Sequence, residues 1–322
     1  MITVFGRNYY NSVVPICDYS QESLTLDGIN DAVAMNTGIH WPNIRANTGG
    51  STQHFISVWA RSEYTAATSG LRFLVTQSSG GFGAGVSNDQ FFRLAYQMTN
   101  SGGTPLNLLY VTYRDNTAGS NNNIIERVFT LHGANNGAIT GSTNNSDYWT
   151  VNNTTFTGGN ITTNSNDFVH LCAVLTVPEI GVPYGVAGSI DLYWNGQKLI
   201  DNTIYTRSGV GDKSSNSVYS TIGCNIATLG SFFYGQMDEI GVLQQYLSLD
   251  PFKSAYGLSS DQDVVDKLYN AGCPGDVTTH PNAYGWNYNF YRFESPNQWL
   301  NEAGGGVISP QNGATTTTTY HA

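Results

Sequence analysis

Short apolar or alternating runs recur along the whole chain, at 24–26, 31–35, 54–60, 71–76, 91–97, 106–113, 124–131, 167–177, 189–194, 218–222, 235–243 and 286–293. Each has the length of a strand, and stretches of Gly, Asn, Ser and Thr separate them. That is the pattern of a many-stranded antiparallel sandwich. No strand–helix–strand rhythm breaks it, so nothing points to a parallel sheet.

Turn chemistry sharpens two places. Asn195-Gly196 stands between two apolar runs and predicts a two-residue hairpin of type I′, whose twist matches that of the strands. Ser259 to Asp263 supply a helix N-cap and an acidic first turn, and Val264, Val265, Leu268 and Tyr269 then share one face. Asn270-Ala271-Gly272 with Pro274 gives a stop. A helix this short is expected to lie across a sheet edge or face. The Asn- and Thr-rich stretch 116–166 predicts exposed loops or added hairpins, a usual place for recognition. The threonines at 315–319 predict a polar tail, extended or mobile unless it pairs with another chain. The expected organisation is an extension or first strand over 1–22, a sandwich over 23–295 and a polar tail over 296–322.

Composition changes this picture in three ways. Charged residues are 11% of the 322, under half the usual share, so Asn, Thr, Ser and Gly must cover the surface. Such surfaces are common among extracellular and virion β-proteins. The net charge of −10, with no Lys/Arg cluster, would repel a phosphate backbone, so no nucleic-acid partner is expected. No 18-residue apolar run occurs and the N-terminal stretch lacks a basic region followed by an apolar one. Neither membrane insertion nor a secretory signal is therefore expected. Cys17, Cys172, Cys224 and Cys273 form no CxxC pair; bridged, they would allow three connectivities, but a chain with a full core needs no staples and buried free thiols are expected.

Three segments carry a resemblance. They are SLTLDGINDAVAM at 23–35 with HFISVWAR at 54–61, then IDLYWNGQK at 190–198, then FYGQMDEIGV at 233–242 with the helix that follows. In order and spacing over 23–272 they resemble the concanavalin A-like, laminin-G-like jelly rolls. GWNYNFYRFE at 285–294 is similar to the segment after the helix in versions from tailed-bacteriophage virions. The resemblance implies an all-β, two-sheet antiparallel jelly-roll sandwich with one short helix near the C-terminus. Within it, Trp59, Val58 and Ile56 are expected to alternate with Ser57 and Ala60, and Tyr193 with Leu192 and Trp194, so that large aromatics fill the space between the sheets.

Candidate chemistry is sparse. Glycosidases of this fold place carboxylates as Glu-x-Asp-x-x-Glu, and none of the seven Glu sits in that pattern. Asp238 and Glu239 are adjacent, as are Gln53 and His54, and alternation sends neighbours to opposite faces of a strand. The six His are scattered, with no HExxH and no G-x-S-x-G. The resemblance implies calcium at Asp27, Asn30, Asp31 and Asp238, a set of hard oxygen donors; the same residues also serve as plain turn formers and a structural acceptor. Trp41, Tyr110, Tyr148 and Trp149 could stack on a sugar or pack against protein. The expectation is a non-catalytic virion structural or attachment protein, a capsid decoration or fibre subunit. Its expected partners are other virion proteins or sibling chains and a host-surface glycan. The rivals are a free-standing calcium-dependent lectin and, more remotely, a glycan-cleaving enzyme.

Overall fold

The apolar runs fold as strands. The computed structural model describes residues 22–35, 51–64, 70–78, 90–101, 104–115, 123–130, 138–143, 147–152, 168–177, 187–198, 203–206, 219–226, 228–246, 251–270, 286–293, 309–311 and 314–318. Its elements in chain order are β1 (Glu22–Asp27), β2 (Ala32–Met35), β3 (Thr52–Ser62), β4 (Arg72–Ser78), β5 (Gln90–Ser101), β6 (Thr104–Asp115), β7 (Asn123–Thr130), β8 (Ala138–Thr143), β9 (Asp147–Asn152), β10 (Val169–Val177), β11 (Ala187–Trp194), β12 (Gln197–Lys198), β13 (Thr203–Thr206), β14 (Tyr219–Ile222) and β15 (Tyr234–Tyr246). Helices α1 (Pro251–Tyr256) and α2 (Asp261–Tyr269) follow, then β16 (Trp286–Tyr291), β17 (Ser309–Gln311) and β18 (Thr315–Thr318).

Two antiparallel sheets result. One runs β12-β11-β10-β3-β15-β1-β18, with β13 also on β11 and β16 also on β15; the other runs β17-β2-β14-β4-β5-β6-β7-β8-β9. Alternate residues of each meet in one core: Leu24, Leu26, Ile56, Val58, Leu171, Ala173 and Leu192 from the first, Val33, Val75, Leu94, Tyr96 and Val111 from the second. Removing each larger side chain from water contributes roughly 1.5–3 kcal/mol. The architecture is the two-sheet jelly-roll sandwich expected.

Short links align the sheets at one border. β1 passes to β2 through residues 28–31, and β17 to β18 through residues 312–314, so these four strands share one side. Counting from there, the second sheet has nine positions and the first has seven.

Trp59 sits elsewhere than expected, whereas Tyr193 alternates with Leu192 and Trp194 as expected. Strand period 2 places Trp59 on the face of Phe55 and Ser57, opposite to Ile56 and Val58, and the same rule turns Tyr193 away from Leu192 and Trp194. Both lie on the outer face of the first sheet. Tyr193 joins Phe55, Cys172, Val174 and Leu243 beneath Val264, Val265 and Leu268 of α2; Trp59 is buried against Tyr269 at the end of that helix.

The helix and hairpin form as their sequences dictate. Ser260 caps α2 by accepting from the Asp263 N–H at 3.1 Å, while the Asp263 carboxylate accepts from the Ser260 N–H at 2.9 Å. Asn270 closes it in the left-handed region, φ 44°. Asn195 and Gly196 have φ 46° and 75°, as a type I′ turn needs. A second short helix, α1, was not foreseen; Lys253 ties it to α2 through Asp261 at 2.7 Å. Stretch 116–166 contributes the added hairpins β7–β9, and the threonine run pairs with β1 of its own chain. Cys172 and Cys224 are buried free thiols; Cys17 and Cys273 lie outside the described residues.

Candidate functional site

The loop from β1 to β2 gathers three of the four residues expected around calcium. Asp27 Oδ1 accepts the N–H groups of Ile29 at 2.8 Å, Asn30 at 3.1 Å and Asp31 at 3.3 Å, and Asp31 Oδ2 accepts that of Asp27 at 3.1 Å. Gly28 sits at φ 74° with its Hα side against Tyr234, where a Cβ would come within 2.6 Å of the tyrosine Cβ. Only glycine fits there. Partial desolvation raises the Asp27 carboxyl, but the N–H groups it accepts outweigh it and leave the pKa below the ordinary value. Burial raises that of Asp31, with the Asp27 charge adding to it against the bond from the Asp27 N–H.

Asp238 stands apart. Asp27 pairs with Tyr234, so Asp238 lies four residues further along β15, about 13 Å away at strand rise. It is buried opposite Trp59, and its Oδ1 accepts from the Glu239 N–H at 2.7 Å. The strand bulges here: β15 leaves its register with β3 between Asp238 and Gly241, with Glu239 at φ 47°. Strict alternation therefore does not govern Asp238 and Glu239. Glu239 is buried and meets Arg292 Nε at 3.5 Å. The four expected ligands do not converge on one point, and one oxygen of Asp27 is already committed to three N–H donors. Among the described residues no three of His, Cys, Asp and Glu are placed to hold a metal.

The outer face of the first sheet carries a polar row. His170, Trp59 and Asp238 are direct neighbours across β10, β3 and β15. His170 Nε2 lies 2.9 Å from Ser57 Oγ, and Asn195 Oδ1 accepts from the His170 backbone N–H at 2.8 Å. The imidazole is 5.2 Å from the Trp59 ring, and Tyr269 stacks on both at 5.7 and 5.8 Å. A serine and histidine at this separation are the parts of a nucleophile and its base. Burial, however, holds the His170 pKa down at about 3, and Ser57 is buried with it. The pair is an internal fastening between strands, with a neutral imidazole at every ordinary pH.

The aromatic candidates divide. Trp41 lies outside the described residues. Tyr148 and Trp149 stand on β9, and the Tyr110 hydroxyl donates to Gln97 Oε1 at 3.0 Å within the second sheet. Sequence reasoning missed Tyr234, which is 38% exposed opposite Asp27 and against Gly28; Ile29 on the same loop is 74% exposed. Glu63 raises the Tyr234 pKa, chiefly by its charge, with partial burial and the hydrogen bond that Glu63 accepts from the hydroxyl adding to it. Behind them Tyr64 donates to the Phe232 carbonyl at 2.7 Å, and burial pushes its pKa up to about 12 against the pull of Arg72. One signal was available: Tyr234 precedes Gly235 at the start of a strand, where a ring meets solvent at the end of the sandwich.

No family model and no curated protein matches the chain. Among solved structures it aligns, over 93% of its own length, with a Bacteroides ovatus protein described as a "putative carbohydrate binding protein", at 12% identity and a TM-score of 0.40. It spans 60% of that protein's length. At that score the likeness says nothing of what this chain binds, and the two-sheet sandwich rests on its own strand pairing.

Proposed function

We propose that the chain is a non-catalytic structural and attachment protein of a virion, a capsid decoration or fibre subunit in the manner of the concanavalin A-like phage proteins it resembles. The observation that carries this reading is the mismatch between the sheets. Counted along the pairing order from the shared border, β8 and β9 are the eighth and ninth positions of one sheet against seven in the other, and on this reading their polar ribbon, with Tyr148 and Trp149 in its sequence, reaches beyond the core. The sandwich is then a rigid support, and the ribbon is the surface that meets sibling chains, other virion proteins and a host-surface glycan. Low charge favours such contacts, since few ions must be desolvated. Mass spectrometry of purified particles is the test. The chain is expected at stoichiometric copy number, and its absence from particles would end this reading.

A second reading, a free-standing carbohydrate-binding lectin, is favoured by the opposite end of the molecule. There Tyr234 offers an exposed ring among Asp27, Asn30 and Glu63, whose oxygens suit sugar hydroxyls. Calcium at this loop would bind through the second Asp27 oxygen, since Oδ1 already accepts three backbone N–H groups. The lectin reading expects glycan-array binding by the isolated chain, abolished in Tyr234→Ala, and a melting temperature raised by calcium; a blank array removes it.

A further inference from the structure

Arg61 meets Glu63 at 3.3 Å, Lys198 meets Asp191 at 3.3 Å, Lys253 meets Asp261 at 2.7 Å and Arg292 meets Glu239 at 3.5 Å. Arg72, at the start of β4, is in salt-bridge contact with no carboxylate among the described residues. Its guanidinium lies 5.8 Å from the centre of the Tyr64 ring, and its Nε is buried with no hydrogen-bond partner there. Residues 65–69, which lead from Tyr64 toward β4 in sequence, are Thr-Ala-Ala-Thr-Ser and hold no acid. The chain has 23 Asp and Glu against 13 Lys and Arg, so a lack of acids does not account for a half-buried arginine without an anion. Taking such a charge from water without a counter-ion costs free energy.

Pairing puts this arginine at the end of the sandwich where Tyr234 meets solvent. Phe73, next to it on β4, donates its N–H to the Ser231 carbonyl at 3.3 Å. Tyr64 lies between the two sheets' contributions: its ring is 5.8 Å from that of Tyr234, edge to face, and its hydroxyl is fixed on the Phe232 carbonyl. The guanidinium and the exposed ring are thus both neighbours of one clamped ring, no further apart than two 5.8 Å spacings laid end to end. Leu229 and Ser231, in the turn that leads to Tyr234, are held at φ 45° and 55°. Residues other than glycine adopt that region at a cost, and such strain gathers at binding sites.

The charges at this end are divided between the sheets. Arg72 belongs to the second; Asp27, the cross-strand partner of Tyr234, and Glu63, whose N–H donates to the Tyr234 carbonyl at 3.1 Å, belong to the first. We propose that Arg72 and Tyr234 form the two halves of a subsite for an acidic sugar, a pyranose that bears a carboxylate. The guanidinium takes the carboxylate, for which its planar fork is matched in shape and charge, and the exposed ring takes the apolar face of the pyranose. A ligand of this kind supplies the counter-ion that Arg72 lacks. Glu63 and Asp27 accept from hydroxyls and repel a second negative group, so one acidic residue is held at the Arg72 side. The inference rests on the lectin reading of this end and narrows it from sugars in general to acidic ones; sialic and uronic acids are two sources of the same chemistry.

The test uses the whole chain with ligands that differ only at the acid. Sialyllactose and trigalacturonate represent the two sources, and each is compared by calorimetry with its methyl ester, in which the charge is gone and the rings are unchanged. At least one acid is expected to bind about tenfold tighter than its ester, the scale of a charge-assisted hydrogen-bonded pair, and Arg72→Gln is expected to erase that difference. Arg72→Lys, which keeps the charge and loses the fork, should retain part of it. If Arg72→Gln does not fold, the acid and ester comparison on the unaltered chain decides. Equal binding of acid and ester, or a preference that survives Arg72→Gln, overturns the acidic subsite and leaves the lectin reading standing. If neither acids nor esters bind, the subsite is overturned as well, and the glycan array judges the lectin reading on its own.

Discussion

The two borders of the sheet beneath α2 are closed by different means. At the β11–β12 border, Gln262 Nε2 donates to the Gly196 carbonyl at 2.7 Å, the Tyr269 ring lies against Gly196, and helix side chains cover Phe55, Val174 and Tyr193. At the β1–β18 border, four threonines pair through their backbones. The first is specified by the shape of particular side chains. The second joins β1 to a strand that repeats one residue type, so the sequence of β18 alone distinguishes no register. Substitutions should therefore be felt strongly on one side and weakly on the other.

The largest effect is expected at Trp59. It is buried, stacks on Tyr269 at 5.8 Å, and separates His170 from Asp238 on the covered face. Trp59→Ala should cost about 3–5 kcal/mol in denaturant unfolding. A loss under 1 kcal/mol would mean that the end of α2 does not seal the middle of this face. Gly196→Ala comes next, because a Cβ there meets Tyr269 Cδ1 at 2.7 Å and the φ of 75° disfavours any side chain. About 1–3 kcal/mol is expected. Part of it should vanish in a Tyr269→Ala background, and a double-mutant cycle with no coupling would remove the ring contact from the account.

The face beneath α2 should be sensitive to acid. Free histidine titrates near 6.5, whereas His170 is held at about 3 by burial. Between these values the unfolded chain binds a proton that the native chain refuses, so stability falls as pH drops from 6.5 toward 3. The slope from this group is at most about 1.4 kcal/mol per pH unit. Unfolding curves of the protein and of His170→Gln across that window should diverge by this slope; parallel curves would contradict a buried neutral imidazole.

How much of this was legible follows from the same contrast. The runs that became β3, β10, β11 and β15 were readable because burial on both faces demands apolar residues, and α2 because its cap and face lie within a dozen residues. β8, β13, β17 and β18 were not, since AITGST, TIYT, SPQ and TTTT carry little apolar pattern and are strands by virtue of their neighbours. The side on which Trp59 lies follows from alternation with Ile56 and Val58; the family resemblance pointed the other way. At the candidate site, Asp27, Asn30 and Asp31 meet because they are adjacent in sequence. The separation of Asp238 from them depends on the register of β1 against β15, which no local spacing encodes, and the bulge at Glu239 is likewise a product of pairing.

The smallest effect is expected at Thr317, and it tests the weak border most directly. Thr317 stands opposite Ser23, and either threonine or valine suits a strand there. Thr317→Val should alter stability by less than about 0.5 kcal/mol, the range of substitutions that disturb no packing. A change above 1 kcal/mol would mean that side chains, and not the ladder alone, fix this strand. In that event the four threonines are no longer interchangeable, one register is strongly preferred, and opening of the segment becomes costly. The two borders would then differ only in residue type and no longer in how tightly they are specified.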